Sequence, residues 1–338
     1  MAHRVSVLDL SPVAAGQTEA DALRHTLDLA VLCDRLGYHR YWLAEHHGGA
    51  MVASSAPEVL IGHVAQATEG IRVGSGGMML PNHSPLKVAE QFKVLEALHP
   101  GRIDLGIGRA PGTDQITAYA LRRSREAMAA DDFPEQMAEL LAFSGLRPWP
   151  ARHPFGHVRA APVDAPLPPI FLLGSSDFSA RMAAANGFAF AFAAQINPGL
   201  AVDALRLYRD EFKPSPELDA PYAILSHAVL CADDEATAQR LAAPARLAFR
   251  RLRMGRPGPI PTVAEALAEL GEGELGKRSE RVIVGTGEQV RTRLEETREA
   301  ARADEVMVLT TVHDHADRRR SYELLAAAYT LPQRDPVP

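Results

Sequence analysis

Residues 71–114 read IRVGSGGMMLPNHSPLKVAEQFKVLEALHPGRIDLGIGRAPGTD, and this stretch decides how the rest of the chain is read. Ile71–Leu80 is an apolar run interrupted only by small residues and one arginine, which predicts a strand. Pro85 opens a stretch to Leu98 whose apolar residues recur at helical spacing, so a helix is expected there. Ile103–Ile107 predicts the following strand. Strand, helix and next strand within roughly 30–35 residues make one parallel βα unit.

The same unit repeats in both directions. Towards the start, Val5–Leu10 predicts a strand, Glu19–Leu36 a helix closed by Gly37, Arg40–Leu43 a strand, and Pro57 to Thr68 a helix that stops at Gly70. Towards the end, helical material follows the Ile103–Ile107 strand to Phe143. Residues 146–169 are proline-rich and aperiodic, a surface excursion. Strands then resume at Ile170–Leu173, Phe188–Phe192, Tyr222–Leu230 and Glu305–Thr310. Helices are expected near Ser176–Asn186, Gly199–Phe212, Asp234–Arg250 and Asp317–Ala328. Eight strands, each followed by a helix, predict a closed (β/α)8 TIM barrel with insertion loops, one domain over residues 1–338. A doubly wound open sheet uses the same units and is the alternative. Residues 251–280 form a second excursion, expected as a lid over the active face.

Composition removes several classes of function. Of the 338 residues, 46% are hydrophobic and 23% charged, and the net charge of −6 is scattered with no basic block, so nucleic acid is excluded as a partner. No apolar run approaches the ~18 residues that span a bilayer, so no membrane is expected. The first residues, with Asp9 in their short apolar run and no cleavage pattern, do not read as a signal peptide. Cys33 and Cys231 stand alone, which leaves neither a disulfide framework nor a cysteine zinc site. A cytoplasmic protein is expected.

Active sites of barrels lie where strands give way to the following loops. The second strand ends in Ala44-Glu45-His46-His47, which offers acid–base groups or a plain polar loop but lacks the spacing of a helical zinc motif. The third strand carries Gly76-Gly77-Met78-Met79, and glycines inside a strand mark a bulge or a close approach of backbone or ligand. The fourth ends in Gly106-Ile-Gly108-Arg109-Ala-Pro-Gly112. This is a poor dinucleotide fingerprint, and an arginine there suits a phosphate better. The fifth ends in Gly174-Ser175-Ser176-Asp177-Phe178-Ser179 at a helix start, which reads as an N-cap or, with Arg109, as a two-sided phosphate clamp. Gly271 to Lys277 imitates a P-loop, but Arg278 holds the Ser/Thr position; His313-Asp-His315 lacks further ligands for a metal, so none is expected.

In this order, Trp42-Leu-Ala-Glu-His-His, Val73-Gly-Ser-Gly-Gly-Met-Met-Leu-Pro and Gly101-Arg-Ile-Asp-Leu-Gly-Ile-Gly-Arg resemble the corresponding stretches of bacterial luciferase and its flavin-dependent monooxygenase relatives. The resemblance runs from Val5 to the Asp317–Ala328 helix and weakens in the two excursions. It implies a homodimeric barrel that binds reduced flavin mononucleotide (FMN) from a separate NAD(P)H-flavin reductase. With O2, through a C4a-hydroperoxyflavin, such an enzyme oxygenates a small organic substrate. Carried over by position, His46 is the active-site histidine and Glu45 its acidic neighbour, and Gly76-Gly77 is a non-proline cis peptide beneath the flavin ring, next to Met78. Gly108 is a further cofactor-binding position, and Arg109 reaches the phosphate with Gly174, Ser175, Ser176 and Ser179. Gly108 stands where luciferase has a reactive cysteine, and Phe178 where it has a phosphate-binding threonine, which leaves Ser176 or Ser179 to substitute. A deazaflavin (F420)-dependent oxidoreductase and a non-catalytic flavin-binding protein are the alternatives on the same barrel.

Overall fold

The βα units close on themselves. The computed structural model describes residues 4–110, 112–124, 132–271, 273, 276–277 and 279–334. Its strands are β1 Arg4–Asp9, β2 Arg40–Leu43, β3 Arg72–Ser75, β4 Met78–Met79, β5 Ile103–Gly108, β6 Ile170–Gly174, β7 Ala189–Ala193, β8 Ala223–Cys231, β9 Val282–Gly285 and β10 Glu305–Leu309. All pairings are parallel, in the order β1-β2-β3-β5-β6-β7-β8-β10, and β10 returns to β1 through Val5↔Val306 and Val7↔Val308. That ring of eight is a TIM barrel, and the open sheet is ruled out.

The helices around it are α1 Glu19–Arg35, α2 Pro57–Ala67, α3 Pro85–Leu98, α4 Gln115–Arg122, α5 Phe133–Ser144, α6 Asp177–Asn186, α7 Ala201–Glu211, α8 Glu235–Leu241, α9 Ala243–Arg253, α10 Val263–Leu270, α11 Gly287–Ala301 and α12 His315–Tyr329. Local chemistry sets many of their starts. Thr18 and Asp21 form a capping box on α1, and proline occupies the first turn of α2 and α3, where a missing N–H costs nothing.

Three readings need correction. The third expected strand is two, because the chain turns at Gly76–Gly77 between β3 and β4. The single helix expected over Asp234–Arg250 is α8 plus α9, since Pro244 has no amide to continue the first helix. β9 and α11 were not anticipated. β9 pairs Ala228–Cys231 of β8, past the Ala223–Ser226 stretch that pairs β7, and α11 begins in a capping box of Thr286 and Gln289. Within the 251–280 excursion, α10 is regular helix, while residues 272, 274–275 and 278 lie outside the described residues, as do 125–131 of the expected helical stretch and Pro111.

Alternate residues of each strand face the helices or the barrel axis. Val5 and Val7 pack under the helices, while Leu8, Trp42, Phe171, Ile224 and Met307 fill the axis. Below them, at the N-terminal end, lies a buried ionic network. Arg40 donates to Asp104 at 2.7 Å and to Glu305 at 3.0 Å, Arg72 reaches Asp104 at 2.6 Å, and Trp42 Nε1 donates to Asp104 at 3.0 Å. Burial alone would raise the Asp104 carboxyl, but the Arg40 and Arg72 guanidinium groups hold it below the usual range. Met78, Phe92 and Phe192 belong to the core that faces the helices.

Candidate active site at the C-terminal mouth

The chain leaves β2 through Ala44, and the next two side chains diverge. Glu45 is fully buried, and its carboxylate accepts from the Met79 amide at 2.7 Å, His47 Nε2 at 2.8 Å and His83 Nε2 at 2.9 Å. Burial pushes this carboxyl up, but the bonds from His83, His47 and Met79 outweigh that and hold it below its ordinary value. It is therefore an anion that ties the loop after β2 to the turn after β4. His46 takes no part in this. Its amide donates to Ser54 at 2.9 Å, and its ring nitrogen Nδ1 is sealed from solvent without a hydrogen-bond partner. Burial lowers the His46 pKa against the opposing pull of Glu45, so the ring is neutral near pH 7.

The floor beside His46 is backbone. The Gly76–Gly77 peptide is cis. A Cβ on Gly76 would stand 2.5 Å from Leu8 Cδ1, and one on Gly77 3.1 Å from the Gly106 carbonyl oxygen. Met79 pairs with Gly108, and a Cβ on Gly108 would meet Met79 Sδ at 2.7 Å. Absent side chains at 76, 77 and 108 let three strands approach and leave main chain over Leu8 and Trp42.

The third component is a corner between β5 and β6. The register Gly108↔Leu173 places Arg109 next to Gly174. Arg109 is exposed, its guanidinium carbon lies 4.3 Å from the Phe178 ring centroid, and it pairs with no carboxylate among the described residues. The Ser176 hydroxyl makes no cap bond to α6, so first-turn amides remain open, although Asp177 accepts from the Phe178 amide at 2.9 Å. A Cβ on Gly174 would sit 2.3 Å from Ser179 Cβ, so only glycine leaves space there. The Ser175 carbonyl accepts from Asn197 at 3.2 Å. A guanidinium lying on the Phe178 ring is thus beside the start of α6, and a cation beside a helix N-terminus is the composition of an anion site.

The profile of the luciferase-like monooxygenases matches residues 3–305. The chain belongs to that family. Among luciferase-like monooxygenases, a protein of that description from Escherichia coli (strain K12) is 43% identical, covering 94% of this chain and 95% of its own. An N-acetyl-S-alkylcysteine monooxygenase of Bacillus subtilis (strain 168) is 35% identical, covering 98% and 99%. The crystal structure of apo-MsnO8 superposes with a TM-score of 0.89 at 41% identity, covering 98% and 99%.

Register brings the expected luciferase-like residues to one end of the barrel in two groups. Glu45, His46, Gly76, Gly77 and Gly108 surround the backbone floor, whereas the Met78 side chain turns into the helix-facing core; Arg109, Gly174, Ser175, Ser176 and Ser179 lie at the anion corner. What sequence reasoning missed is that Glu45 serves His47 and His83 rather than His46, and that Phe178 lies against Arg109. The His313-Asp-His315 segment is engaged elsewhere: His313 faces the Ala15 carbonyl, and His315 faces Asp28 and stacks on His25. No helix among the described residues is long and apolar enough to cross a membrane.

Proposed function

We propose that this chain is a monooxygenase that binds reduced FMN at the C-terminal mouth and uses O2 to oxygenate a small organic substrate. A separate NAD(P)H-flavin reductase would supply the reduced cofactor. One observation carries the reading: Arg109, which pairs with no carboxylate among the described residues, and the open start of α6 flank a glycine cradle, beside a backbone floor edged by a neutral histidine. The residues present fit the cofactor. A phosphate would lie between Arg109 and Ser175, Ser176 and Ser179, and a flat ring system would rest on Gly76–Gly77 and Gly108. Bound there, the flavin supplies the two electrons and the ring that reacts with oxygen.

The protein's own part is then positional. Arg109 binds the phosphate as a fork, and the α6 amides add fixed dipoles. Glu45, through Met79, His47 and His83, holds the loops after β2 and β4 together and helps exclude water. His46, neutral at its ring and with Nδ1 sealed, would take or return a proton at Nε2. The family's oxygenation favours flavin over F420, because the deazaflavin ring transfers hydride without consuming oxygen. Exposed Val59, Val94 and Leu98 on α2 and α3 support a homodimer, which sedimentation would test.

The test is anaerobic titration with reduced FMN, followed by mixing with oxygenated buffer while oxygen uptake and absorbance are followed. Tight binding with oxygen kinetics distinct from free reduced FMN supports the proposal. Binding with reoxidation at the free-flavin rate overturns it in favour of hydride transfer or a carrier, and absence of binding overturns the cofactor.

A further inference from the structure

Across the mouth from the anion corner lies a cavity of 270 Å³. It is walled by Met51 after β2, Ala228 of β8, Phe249 of α9, Ile260, Thr311 after β10 and Arg281 beside β9. That volume is close to the ~300 Å³ at which ligand sites begin. Ala228 packs against the axial cluster, so the cavity reaches the barrel axis. Main-chain bonds from Val13 to Met51 (2.9 Å) and from Ala15 to Ile260 (2.8 Å) hold its walls to the loop after β1.

The walls are mostly apolar; the polar lining is Thr311, Gln195, Ser279, Arg281 and Arg246, whose guanidinium donates to Gln239 at 2.6 Å. Phe249 is 40% exposed, an aromatic surface without a protein cover. Over it lies the Arg281 guanidinium, its carbon 5.3 Å from the ring centroid. Arg281 Nη1 donates to the carbonyls of Gln195, at 3.1 Å, and Ile196. Those bonds fix the group in place but leave its charge uncompensated, since no carboxylate pairs with it among the described residues. Its neighbours differ. Arg250 and Arg251 in the same region are both paired with Glu269, and Arg251 also with Glu265. Pinning the loop after β7 accounts for Nη1 but not for a half-buried cation that faces the cavity with no counterion among the described residues. A guanidinium held rigid by main-chain carbonyls and left without an anion is preorganised to receive one.

We propose that this cavity is the substrate chamber and that its substrate is a small organic carboxylate. The carboxylate seats on Arg281, the apolar body lies against Phe249, Met51 and Ile260, and the reacting end points past Ala228 to the barrel axis. The word substrate rests on the oxygenase reading above; the anion-binding chamber does not need the flavin.

The probes are 4-phenylbutyrate and its uncharged amide, titrated calorimetrically into the full chain without flavin. The carboxylate is expected to bind about tenfold more tightly than the amide. Arg281→Gln should erase that preference, and Arg281→Lys should keep part of it. Ala245→Trp, which fills the cavity from α9 one turn before Phe249, should weaken both probes. Equal binding of acid and amide to the parent, a preference that survives Arg281→Gln, or indifference to Ala245→Trp would each overturn the proposal. Reduced FMN titrated into the same samples separates the two ideas. A parent that prefers the carboxylate but ignores FMN defeats the flavin reading alone. One that takes FMN and shows no preference defeats the chamber alone.

Discussion

The two ends of this barrel treat polar groups in opposite ways. At the N-terminal end the axial ionic network is closed: Arg40 is answered by Asp104 and Glu305, Arg72 by Asp104, and Glu305 also by Tyr222 at 2.5 Å. At the C-terminal mouth, beside the fully bonded Glu45, several groups stand open. His46 Nδ1 and Ser226 Oγ are buried without partners, and Arg109 and Arg281 carry charge that no carboxylate balances among the described residues. An unanswered buried polar atom costs about 1–3 kcal/mol, so a fold tolerates it where something else is gained. The closed network specifies and stabilises; the open one is available to ligands.

The strongest way to break this comparison is at the closed end. Asp104→Ala leaves Arg40 and Arg72 facing each other, and should cost about 3–5 kcal/mol in denaturant unfolding. FMN affinity of the folded fraction should stay at the parent value. A loss under 1 kcal/mol would mean the network is not what holds that end together. The same residue sets an acid limb. Its folded pKa is depressed below the ordinary 3.8, so its stabilisation is complete above that value. It is then lost as pH falls from 3.8 towards the folded value. Asp104→Asn should flatten that limb.

At the open end the effects should move from stability to binding. Arg109→Ala should weaken FMN about tenfold to a hundredfold, leave riboflavin binding unchanged, and shift unfolding by less than about 0.5 kcal/mol. Equal loss for both flavins would remove the arginine from the phosphate. Phe178→Ala comes next. Losing the ring that steadies Arg109 should cost about 0.5–1 kcal/mol of FMN affinity, restored by Phe178→Tyr but not by Phe178→Leu. The smallest effect is at His46, whose folded pKa is depressed below 6.5. The unfolded chain then takes up the proton first, so a little stability is lost as pH falls below 6.5, and His46→Gln should remove that slope. Proton NMR that places the ring at or above 6.5 would break the assignment of a neutral imidazole.

Much of the fold was legible because strand and helix leave different periods in the chain. Eight of the ten strands were placed on that ground, and the extra break at Gly76–Gly77 follows from two residues that lack Cβ atoms. β9 was missed because four residues, Val282 to Gly285, are too few for a period and follow an irregular stretch. α11 does carry a readable signal, the Thr286–Gln289 capping box. The strand ends led to the mouth of the barrel because parallel topology puts them all on one face.

By itself, the sequence determined the repeating βα unit, the strand ends that gather at one mouth, and the residues that place the chain with the luciferase-like monooxygenases. Only the tertiary structure decided partners. Glu45 lies beside His46 in the chain yet bonds His83, which is 38 positions away. Arg109 meets Phe178 across the β5–β6 register, and Arg281 is fastened by the carbonyls of a distant loop while no carboxylate among the described residues matches its charge. The reason is physical. Periodicity is a property of neighbouring backbone units, whereas a hydrogen bond or an ion pair forms only once closure of the barrel brings remote side chains within about 3 Å.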